Sequence, residues 1–505
     1  MDRRRFIAGV AAAGLALPHI VRAQAPIPVT GGAIRVGLSE LPSLWDPLGS
    51  RDFNTLWVST LVYDTLLQFN GEGQFVPGLA LFSSWSDDGT VLTLDLRDSA
   101  RFSDGTPVKS FDVVQSLERA RDRSWRLESV RFISALSDQT IQIVTESPDA
   151  SLLASLASPE MAICPRGAPD FAEQVGTGIP PLGSGPFRIL PLRQDAIRLL
   201  PNPWYWQVGR PRLGSIRITG MTEESTRSVA LMTGEVDVLP DVPLLDVSLI
   251  RQEPSLKLVG SASTLGCMLI LNMRQPPMSD VSFRLLFNRA IDRKALVKAA
   301  TADEASPQHL LIHEDHWAAL DNSMDSYDRD ELKQDLRDLG YPVGLRLHMI
   351  SDERNVSLSN AAVFLQDQLA FIGISLSVDL LPANLLRAAL EANEYDLYAS
   401  SIDAWRDPHE LFRPLVMTDG DLNVGGYTSE HCDRLIRSGV LVEETERRAP
   451  YYQQLQRVLL QDVPVVVLYL QNYFDSMTSK LQNYPQYPPI SGLGMRHAWL
   501  ENPAG

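Results

Sequence analysis

The sequence is poor in cysteine, with three in 505 residues. Cys164, Cys267 and Cys432 lie far apart and allow at most one disulfide, which excludes a small fold held together by disulfides. We expect three buried free thiols, because reduced cysteine packs as a small apolar side chain.

Positive charge is also scarce. Lys and Arg number 45 against 62 Asp and Glu, which gives a net charge of −17. Such a surface repels phosphate backbones and anionic lipid headgroups, which argues against nucleic-acid or membrane-surface binding. Hydrophobic residues make up 44% of the chain with no biased tract, so the length predicts two or three globular domains.

The motifs of common catalytic sites are missing. The chain contains no Gly-x-Ser-x-Gly elbow, Walker loop, dinucleotide fingerprint or Ser-x-x-Lys pair. His313-Glu314-Asp315-His316 is one residue short of the zinc-protease helix motif and lacks an obvious third ligand, so it predicts a solvated polar loop. These absences favour a binding protein without cofactor or metal over an enzyme.

An uncharged apolar run extends from Phe6 to Ile20, directly behind Arg3-Arg4-Arg5. The run is shorter than the ~20 residues that cross a bilayer, so it predicts a signal peptide over residues 1–23. The N-terminus is similar to the twin-arginine export signal, because the arginine pair Arg3-Arg4 is followed by one spacer residue and then Phe6-Ile7. We therefore expect an exported, periplasmic protein.

The cleavage site and the mature form follow from nearby residues. Cleavage after Ala23 is preferred to cleavage after Ala25, which would leave Pro26 at the first mature position. No cysteine precedes Cys164, so a lipid anchor is not expected and the mature protein should be soluble.

Hydrophobic periodicity predicts strands early and an α/β region late in the chain. Ile34 to Leu38 and Leu92 to Leu96 alternate apolar with polar residues, and Asp87-Asp88-Gly89 reads as a turn before the second segment. Residues 345–349 alternate, residues 362–372 have helical spacing, and residues 374–380 alternate again behind Gly373. This order predicts a β-α-β unit with parallel strands inside an α/β lobe. The run Val465–Leu470 predicts a strand buried on both faces.

Short motifs are spread in a characteristic order along the whole chain. They are Val62-Tyr-Asp-Thr-Leu-Leu67, Pro77-Gly-Leu-Ala80, Trp85-Ser-Asp-Asp88, Leu96-Arg97, Phe102-Ser-Asp-Gly-Thr-Pro107, Asp112-Val-Val-Gln-Ser116, Gly183-Ser-Gly-Pro-Phe187, Asn202-Pro-Trp-Tyr-Trp206, Gly234-Glu-Val-Asp237, Leu271-Asn272, Asn288-Arg-Ala-Ile-Asp-Arg293, Leu339-Gly-Tyr341, Ile372-Gly-Ile374, Tyr395-Asp396 and Asp462-Val-Pro464. Together they resemble the dipeptide/oligopeptide-binding family, the family 5 extracellular solute-binding proteins of ABC importers.

The resemblance implies an α/β, two-lobed periplasmic-binding-protein fold with a hinge and an extra subdomain in the first lobe. The implied first lobe comprises residues 24–50, 182–264 and 475–505, with the extra subdomain over residues 51–181. The second α/β lobe spans residues 265–474. A ligand would be enclosed in the cleft when the lobes close.

The resemblance also implies which segment faces the ligand. The stretch after Tyr395-Asp396 forms the cleft wall of the second lobe, and an acidic residue just past a tryptophan pairs with the α-ammonium of a bound peptide. By position these residues are Trp405 and Asp407, where Trp405 could stack on the ligand or lie in the core.

The spacing from Trp405 to Asp407-Pro408 is shorter than in typical peptide binders. Asp407 could therefore instead cap the following helix, which leaves Asp403 and Arg406 as alternatives. An arginine at this place would invite a carboxylate or another anionic group.

Two further segments are implied by the family layout. The end of the first strand and the segment after the first crossover lie near the cleft, and each could equally be ordinary hinge packing. The residues are Ser39, Glu40, Asn272 and Met273.

The resulting hypothesis is a monomeric periplasmic receptor that delivers a peptide or peptide-like small molecule to an inner-membrane ABC permease and ATPase complex. A non-peptide ligand, such as an opine, a sugar-like compound or a metal chelate, is the alternative. An exported hydrolase is the third class.

Overall fold

A computed structural model describes residues 30–42, 46–47, 52–71, 73–167, 180–190, 195–321, 329–403, 407–485, 487 and 492–501. The predicted signal peptide, Trp405 and Arg406 lie outside these residues.

The strands are β1 Ala33–Leu38, β2 Leu67–Phe69, β3 Phe75–Pro77, β4 Ala80–Trp85, β5 Val91–Leu96, β6 Val130–Ala135, β7 Thr140–Thr145, β8 Phe187–Ile189, β9 Ile197–Pro201, β10 Ser215–Gly220, β11 Val238–Leu239, β12 Leu256–Leu271, β13 Ala305–Pro307, β14 Leu345–Asp352, β15 Ile374–Leu381, β16 Leu397–Asp403, β17 Val465–Thr478, β18 Leu481–Gln482 and β19 Trp499–Leu500.

The α-helices are α1 Phe53–Val62, α2 Ser110–Arg121, α3 Leu152–Ala157, α4 Glu224–Met232, α5 Val247–Arg251, α6 Val281–Arg289, α7 Arg293–Thr301, α8 Arg329–Asp338, α9 Val356–Ile372, α10 Ala383–Ala392, α11 Pro408–Val416, α12 Glu430–Val440, α13 Thr445–Asp462 and α14 Gly494–His497. Short 3-10 helices lie at Trp125–Leu127, Pro159–Met161 and Leu244–Asp246.

One large mixed sheet runs through the molecule in the order β15-β14-β16-β12-β17-β11-β1-β10-β9-β8, with β13 paired to β17. The long antiparallel strands β12 and β17 form its middle. Their register is irregular between Ser261 and Leu265, which divides the sheet into two halves. We call these two strands the β12–β17 ribbon.

The first lobe is built on β11, β1, β10, β9 and β8, where β1 runs parallel to β10. The predicted strand at Ile34 to Leu38 is confirmed as β1, with all three apolar side chains in the core. A separate antiparallel sheet, β4-β5-β7-β6, packs with α2 and α3 around its own core. We call this part of the first lobe, which includes the 3-10 helix Trp125–Leu127, the small unit.

The turn predicted at Asp87-Asp88-Gly89 is confirmed, and it joins β4 to β5. The Asp88 carboxylate accepts hydrogen bonds from the Ser86 hydroxyl and from the backbone N–H and hydroxyl of Thr90, at 2.6 to 3.1 Å. Gly89 has a φ of +68°, a conformation that glycine adopts without steric cost. Asp87-Asp88-Gly89 is therefore a turn between β4 and β5.

The second lobe contains the predicted β-α-β unit. β14 and β15 pair in parallel, α9 connects them, and α9 ends at Gly373, whose φ is +91°. Leu365 and Leu369 are at most 1% exposed, and burial of each contributes roughly 1.5–3 kcal/mol. Helices cover both faces of this half-sheet, with α6, α7, α8 and α9 on one core and α11, α12 and α13 on the other.

The strand predicted at Val465–Leu470 is confirmed, and β17 continues beyond it to Thr478. Cys164, Cys267 and Cys432 are confirmed as buried free thiols. His313 and His316 lie in a loop, and each imidazole Nδ1 accepts a hydrogen bond from a backbone N–H two residues ahead.

Several motifs that carry the resemblance meet in one structural cluster. The Trp206 indole donates to Asp64 at 2.9 Å, and the Asn202 amide donates to the Gly185 carbonyl at 2.9 Å. The Gly185 N–H in turn donates to the Val62 carbonyl at 2.9 Å. These residues hold the first lobe together, so the motifs identify the fold and not the ligand.

Candidate functional site in the interlobe cleft

The carboxyl ends of parallel strands from the two lobes face each other. β1 of the first lobe ends before Ser39 and Glu40, and β14 of the second lobe ends at Asp352. Open α/β sheets bind ligands in the crevice beyond the carboxyl ends of their strands. The structure therefore places the candidate site between these two edges.

A pair of charged side chains bridges the two edges. The Arg354 guanidinium lies 3.9 Å from the Glu40 carboxylate and 2.7 Å from Asp352. The hydrogen bonds that the Arg354 guanidinium donates to the Asp352 carboxylate raise the pKa of Arg354 above its ordinary value. Both members of the bridge are about half exposed, at 49% and 47% of the side chain, and such a pair contributes about 0–1 kcal/mol. The bridge is weak enough to be exchanged for contacts with a ligand.

Ser39 lies beside Glu40 but points to its own lobe. Its hydroxyl accepts a hydrogen bond from the Asn54 amide at 2.9 Å, at the start of α1. The structure thus brings Glu40 to the bridge and uses Ser39 to hold α1 against the end of β1.

Asp403 ends β16, which pairs in parallel with β14, so its backbone reaches the same edge as Asp352. Leu265 lies opposite Asp403 on β12, immediately after the register irregularity between the lobes. Of the predicted residues in this segment, Asp403 is the one that the described part of the chain places at the lobe junction. Trp405 and Arg406 lie outside the described residues.

Asp407 is engaged inside the second lobe. It is the N-cap of α11, and Oδ1 accepts from the His409 N–H at 2.8 Å. Arg448 binds both carboxylate oxygens, at 2.7 and 2.8 Å, and its side chain is 3% exposed. A ligand ammonium would have to displace this guanidinium. The geometry thus favours the helix-capping alternative for Asp407.

Asn272 and Met273 lie at the far end of the β12–β16 pair. Leu271 is opposite Leu397, whereas Asp403 is opposite Leu265, and six residues of strand span about 20 Å. The structure does not bring Asn272 and Met273 together with Asp403.

Both side chains have structural neighbours instead. The Asn272 side chain is fully buried and donates to the Tyr395 carbonyl at 2.9 Å. Met273 packs against both cores of the second lobe. This packing favours the alternative of a structural role for both residues, since the crossover into the second lobe ends at Leu265, seven residues before Asn272; their place in the cleft stays a prediction.

Arg126, which belongs to the 3-10 helix of the small unit, lies in no motif that the sequence analysis singled out. Its Nε donates to Glu160 at 3.0 Å, and Nη1 donates to Glu410 of the second lobe. Burial alone would lower the pKa of Arg126, but the charges of Glu160, Glu410 and Asp403 outweigh it and raise that pKa. A guanidinium of the first lobe thus lies within electrostatic reach of Asp403.

Within the described residues, no three His, Cys, Asp or Glu side chains form a group that could hold a metal ion. Nor does any helix in that part of the chain have the length and apolar character to cross a membrane.

The known proteins that this chain is similar to are solute-binding proteins. Residues 74–423 match the family model for bacterial extracellular solute-binding proteins, family 5, middle region. The glutathione-binding protein GsiB of Pectobacterium atrosepticum is 25% identical over 514 residues, which cover 96% of this chain and 96% of that protein.

Solved structures share the whole architecture. The binding protein AgaA from Agrobacterium tumefaciens R10, in complex with agropinic acid, has a TM-score of 0.84 at 24% identity, covering 93% of this chain and 99% of the other. DppA from Helicobacter pylori, in complex with the peptide STSA, also has a TM-score of 0.84 at 24% identity, covering 94% and 99%. The predicted two-lobed α/β fold is confirmed. The family model matches more than half of this chain. The chain therefore belongs to family 5 of the bacterial extracellular solute-binding proteins.

Proposed function

We propose that this ABC-importer solute-binding protein captures a peptide or peptide-like small molecule between its lobes. The observation that carries the proposal is the meeting of oppositely charged groups from both lobes at the strand ends, where the Arg354 guanidinium lies 3.9 Å from the Glu40 carboxylate. Both signs of charge are present there, as the two termini of a short peptide require. The glutathione-binding and peptide-bound relatives support this ligand class.

A non-peptide ligand is the second candidate, and one observation favours it. Arg448 already neutralises Asp407, the residue that by position would receive a peptide α-ammonium. The structural relative AgaA is described in complex with an opine. An opine, a sugar-like compound or a metal chelate would not need an ammonium receptor at this position. An exported hydrolase gains no support, since the relatives are binding proteins.

The remaining parts of the proposal concern organisation and location. Residues 24–50, 182–264 and 475–505 form the first lobe, residues 51–181 its subdomain and residues 265–474 the second lobe. The protein is exported by a twin-arginine signal, released without a lipid anchor and works in the periplasm as a monomer. It meets a permease and ATPase complex in the inner membrane, and the lobes close on the ligand at the β12–β17 ribbon.

Calorimetric titration with glutathione, the peptide Ser-Thr-Ser-Ala and agropinic acid tests the ligand class. In a second experiment, protein purified under native conditions is then unfolded on purpose, and any small molecule that it releases is identified by mass spectrometry. We expect binding of a peptide and release of a peptide-like molecule. Binding of agropinic acid alone, or release of a sugar or chelate, would select the second candidate.

Two aspartate variants separate a cleft role from a structural one. Asp403→Asn should make the binding free energy of a peptide less favourable by roughly 1.5–3 kcal/mol, the contribution of a hydrogen bond to a charged group. Asp367→Asn, at an exposed position of the same lobe, serves as its matched control and should leave peptide affinity unchanged. Equal peptide affinity in wild type and Asp403→Asn would remove Asp403 from the site.

A further inference from the structure

The lobes touch at a second place besides the β12–β17 ribbon. The 3-10 helix Trp125–Leu127 of the small unit faces α11 of the second lobe. Arg126 donates to Glu410, and the Arg413 guanidinium binds Glu128 through Nε at 3.0 and 3.1 Å and through Nη2 at 2.6 Å. Each pair joins residues more than 280 positions apart in sequence.

Aromatic and backbone contacts reinforce the two ion pairs. The Trp125 ring meets the His409 ring edge-on with centroids 6.1 Å apart, and the Arg413 guanidinium lies 5.8 Å from the Trp125 ring centre. Nearby, the Ala150 N–H donates to the Val440 carbonyl at 2.9 Å. Three of the four charged side chains are largely shielded from water, since Arg413, Glu410 and Arg126 are 9%, 4% and 14% exposed, whereas Glu128 is 44% exposed.

Each side of this contact is anchored in a different hydrophobic core. Leu127 is buried in the core of the small unit, whereas Leu411, Phe412 and Leu415 are buried in a core of the second lobe. Among the described residues, no hydrophobic cluster includes members of both cores. Two separately packed parts of the molecule therefore meet through charged and aromatic side chains, and such groups can be solvated again when they separate.

Rotation of the lobes must act on this contact. The chain passes between the lobes along β12 and β17, and the register irregularity between Ser261 and Leu265 marks the crossing. The contact between the 3-10 helix and α11 shares no residue with that ribbon. Opening the lobes at the ribbon therefore pulls the two sides apart, and closing them restores the ion pairs.

We propose that these residues form an interlobe clasp that sets the ratio of closed to open molecules. The clasp consists of Trp125, Arg126 and Glu128 of the small unit and His409, Glu410 and Arg413 of α11. It rests on the lobe closure assumed in the proposed function, but it acts without ligand. The clasp holds the empty protein partly closed, and loss of an ion pair favours the open form.

Electron–electron distance measurement on the ligand-free protein tests the clasp. Spin labels are placed at two exposed positions, Asp98→Cys in the small unit and Asp367→Cys in the second lobe, and the three native cysteines are buried. In this doubly labelled background, Glu128→Arg replaces the carboxylate that faces Arg413 with a second guanidinium, so that two cations repel each other. We expect the ratio of open to closed molecules in the distance distribution to rise about ten-fold. This is the size of a typical coupling between contacting residues.

A charge exchange and a second arginine variant control for misfolding. The double variant Glu128→Arg/Arg413→Glu reverses the pair and should restore the closed distance, which a folding defect would not. Arg289→Gln removes an arginine that pairs with Glu331 and Asp335 within the second lobe, and should leave the distances unchanged. Identical distance distributions in wild type and Glu128→Arg would overturn the clasp. Because no ligand is added, failure of peptide binding would leave this result standing.

Discussion

At Asp407 the sequence left two interpretations open, and the deciding partner is 41 residues away. Pro408 after an aspartate is typical of a helix start, yet the same position is implied to bind a ligand amine. Arg448 lies on α13 and approaches Asp407 through the fold of the second lobe. Local sequence patterns could predict the cap, but they could not reveal that an arginine occupies the carboxylate.

We expect Asp407→Asn to destabilise the protein by about 3 kcal/mol, because it leaves the buried guanidinium of Arg448 without its counter-charge. Chemical denaturation of wild type and variant measures the difference. Glu444→Gln, which breaks the exposed pair with Arg447, is the control and should cost less than about 1 kcal/mol. A larger effect in the control would contradict the role of burial.

Asp475 is a buried carboxylate on β17 that is held by uncharged hydrogen-bond donors. It accepts hydrogen bonds from the Tyr484 hydroxyl at 2.8 Å and from the Asp241 N–H at 3.4 Å. Burial raises its pKa from 3.8 to about 7, against the lowering effect of these hydrogen bonds. The folded protein therefore binds a proton that the unfolded chain has lost between these two pKa values.

The sign of the pH effect follows from this difference. As the pH rises from about 4 to about 7, wild type should lose stability relative to Asp475→Asn, by at most about 1.4 kcal/mol per pH unit. Unfolding free energies of both proteins at pH 5, 6.5 and 8 provide the comparison. Parallel curves for the two proteins would show that Asp475 titrates normally.

At the scale of elements, the β-α-β unit from β14 to β15 was predictable because its signals are local. Strand alternation, helical spacing and the stop at Gly373 all lie within 40 residues. The packing of α11 against the small unit was not predictable, since its contacts join distant parts of the chain. Periodicity predicts which face of an element is buried, but not which element covers it.

The Gly183-Ser-Gly motif gives a test at this scale. A Cβ on Gly185 would lie 2.5 Å from the Val62 carbonyl carbon and 2.8 Å from the Tyr63 nitrogen, both backbone atoms that cannot rotate away. We expect Gly185→Ala to cost about 3 kcal/mol or more, as measured by denaturant unfolding.

Gly167→Ala is the matched substitution, because nothing lies within 4 Å of its Cβ position and its φ is +75°. It should cost about 1–2 kcal/mol, the strain of the left-handed conformation alone. If Gly185→Ala were no more damaging than Gly167→Ala, the close approach of the motif to the end of α1 would be unimportant.

At the scale of the whole molecule, the proposed export route makes a prediction of its own. Replacement of Arg3 and Arg4 by lysine should abolish appearance of the protein in the periplasm if the twin-arginine signal is read. Cell fractionation followed by immunoblotting measures the distribution, and Arg22→Lys is the control. Undiminished export of the double variant would show that another route is used.

The β12–β17 ribbon has a consequence for how such proteins diversify. Leu265 and Gln471 are register partners on adjacent antiparallel strands, so the chain leaves and re-enters the first lobe at points only about 5 Å apart. In the proposed division, the second lobe of residues 265–474 is thus an insertion into the first lobe, and its ends lie close together. Recombination at these two positions can exchange one wall of the cleft between relatives as a single cassette, without lengthening or straining either junction.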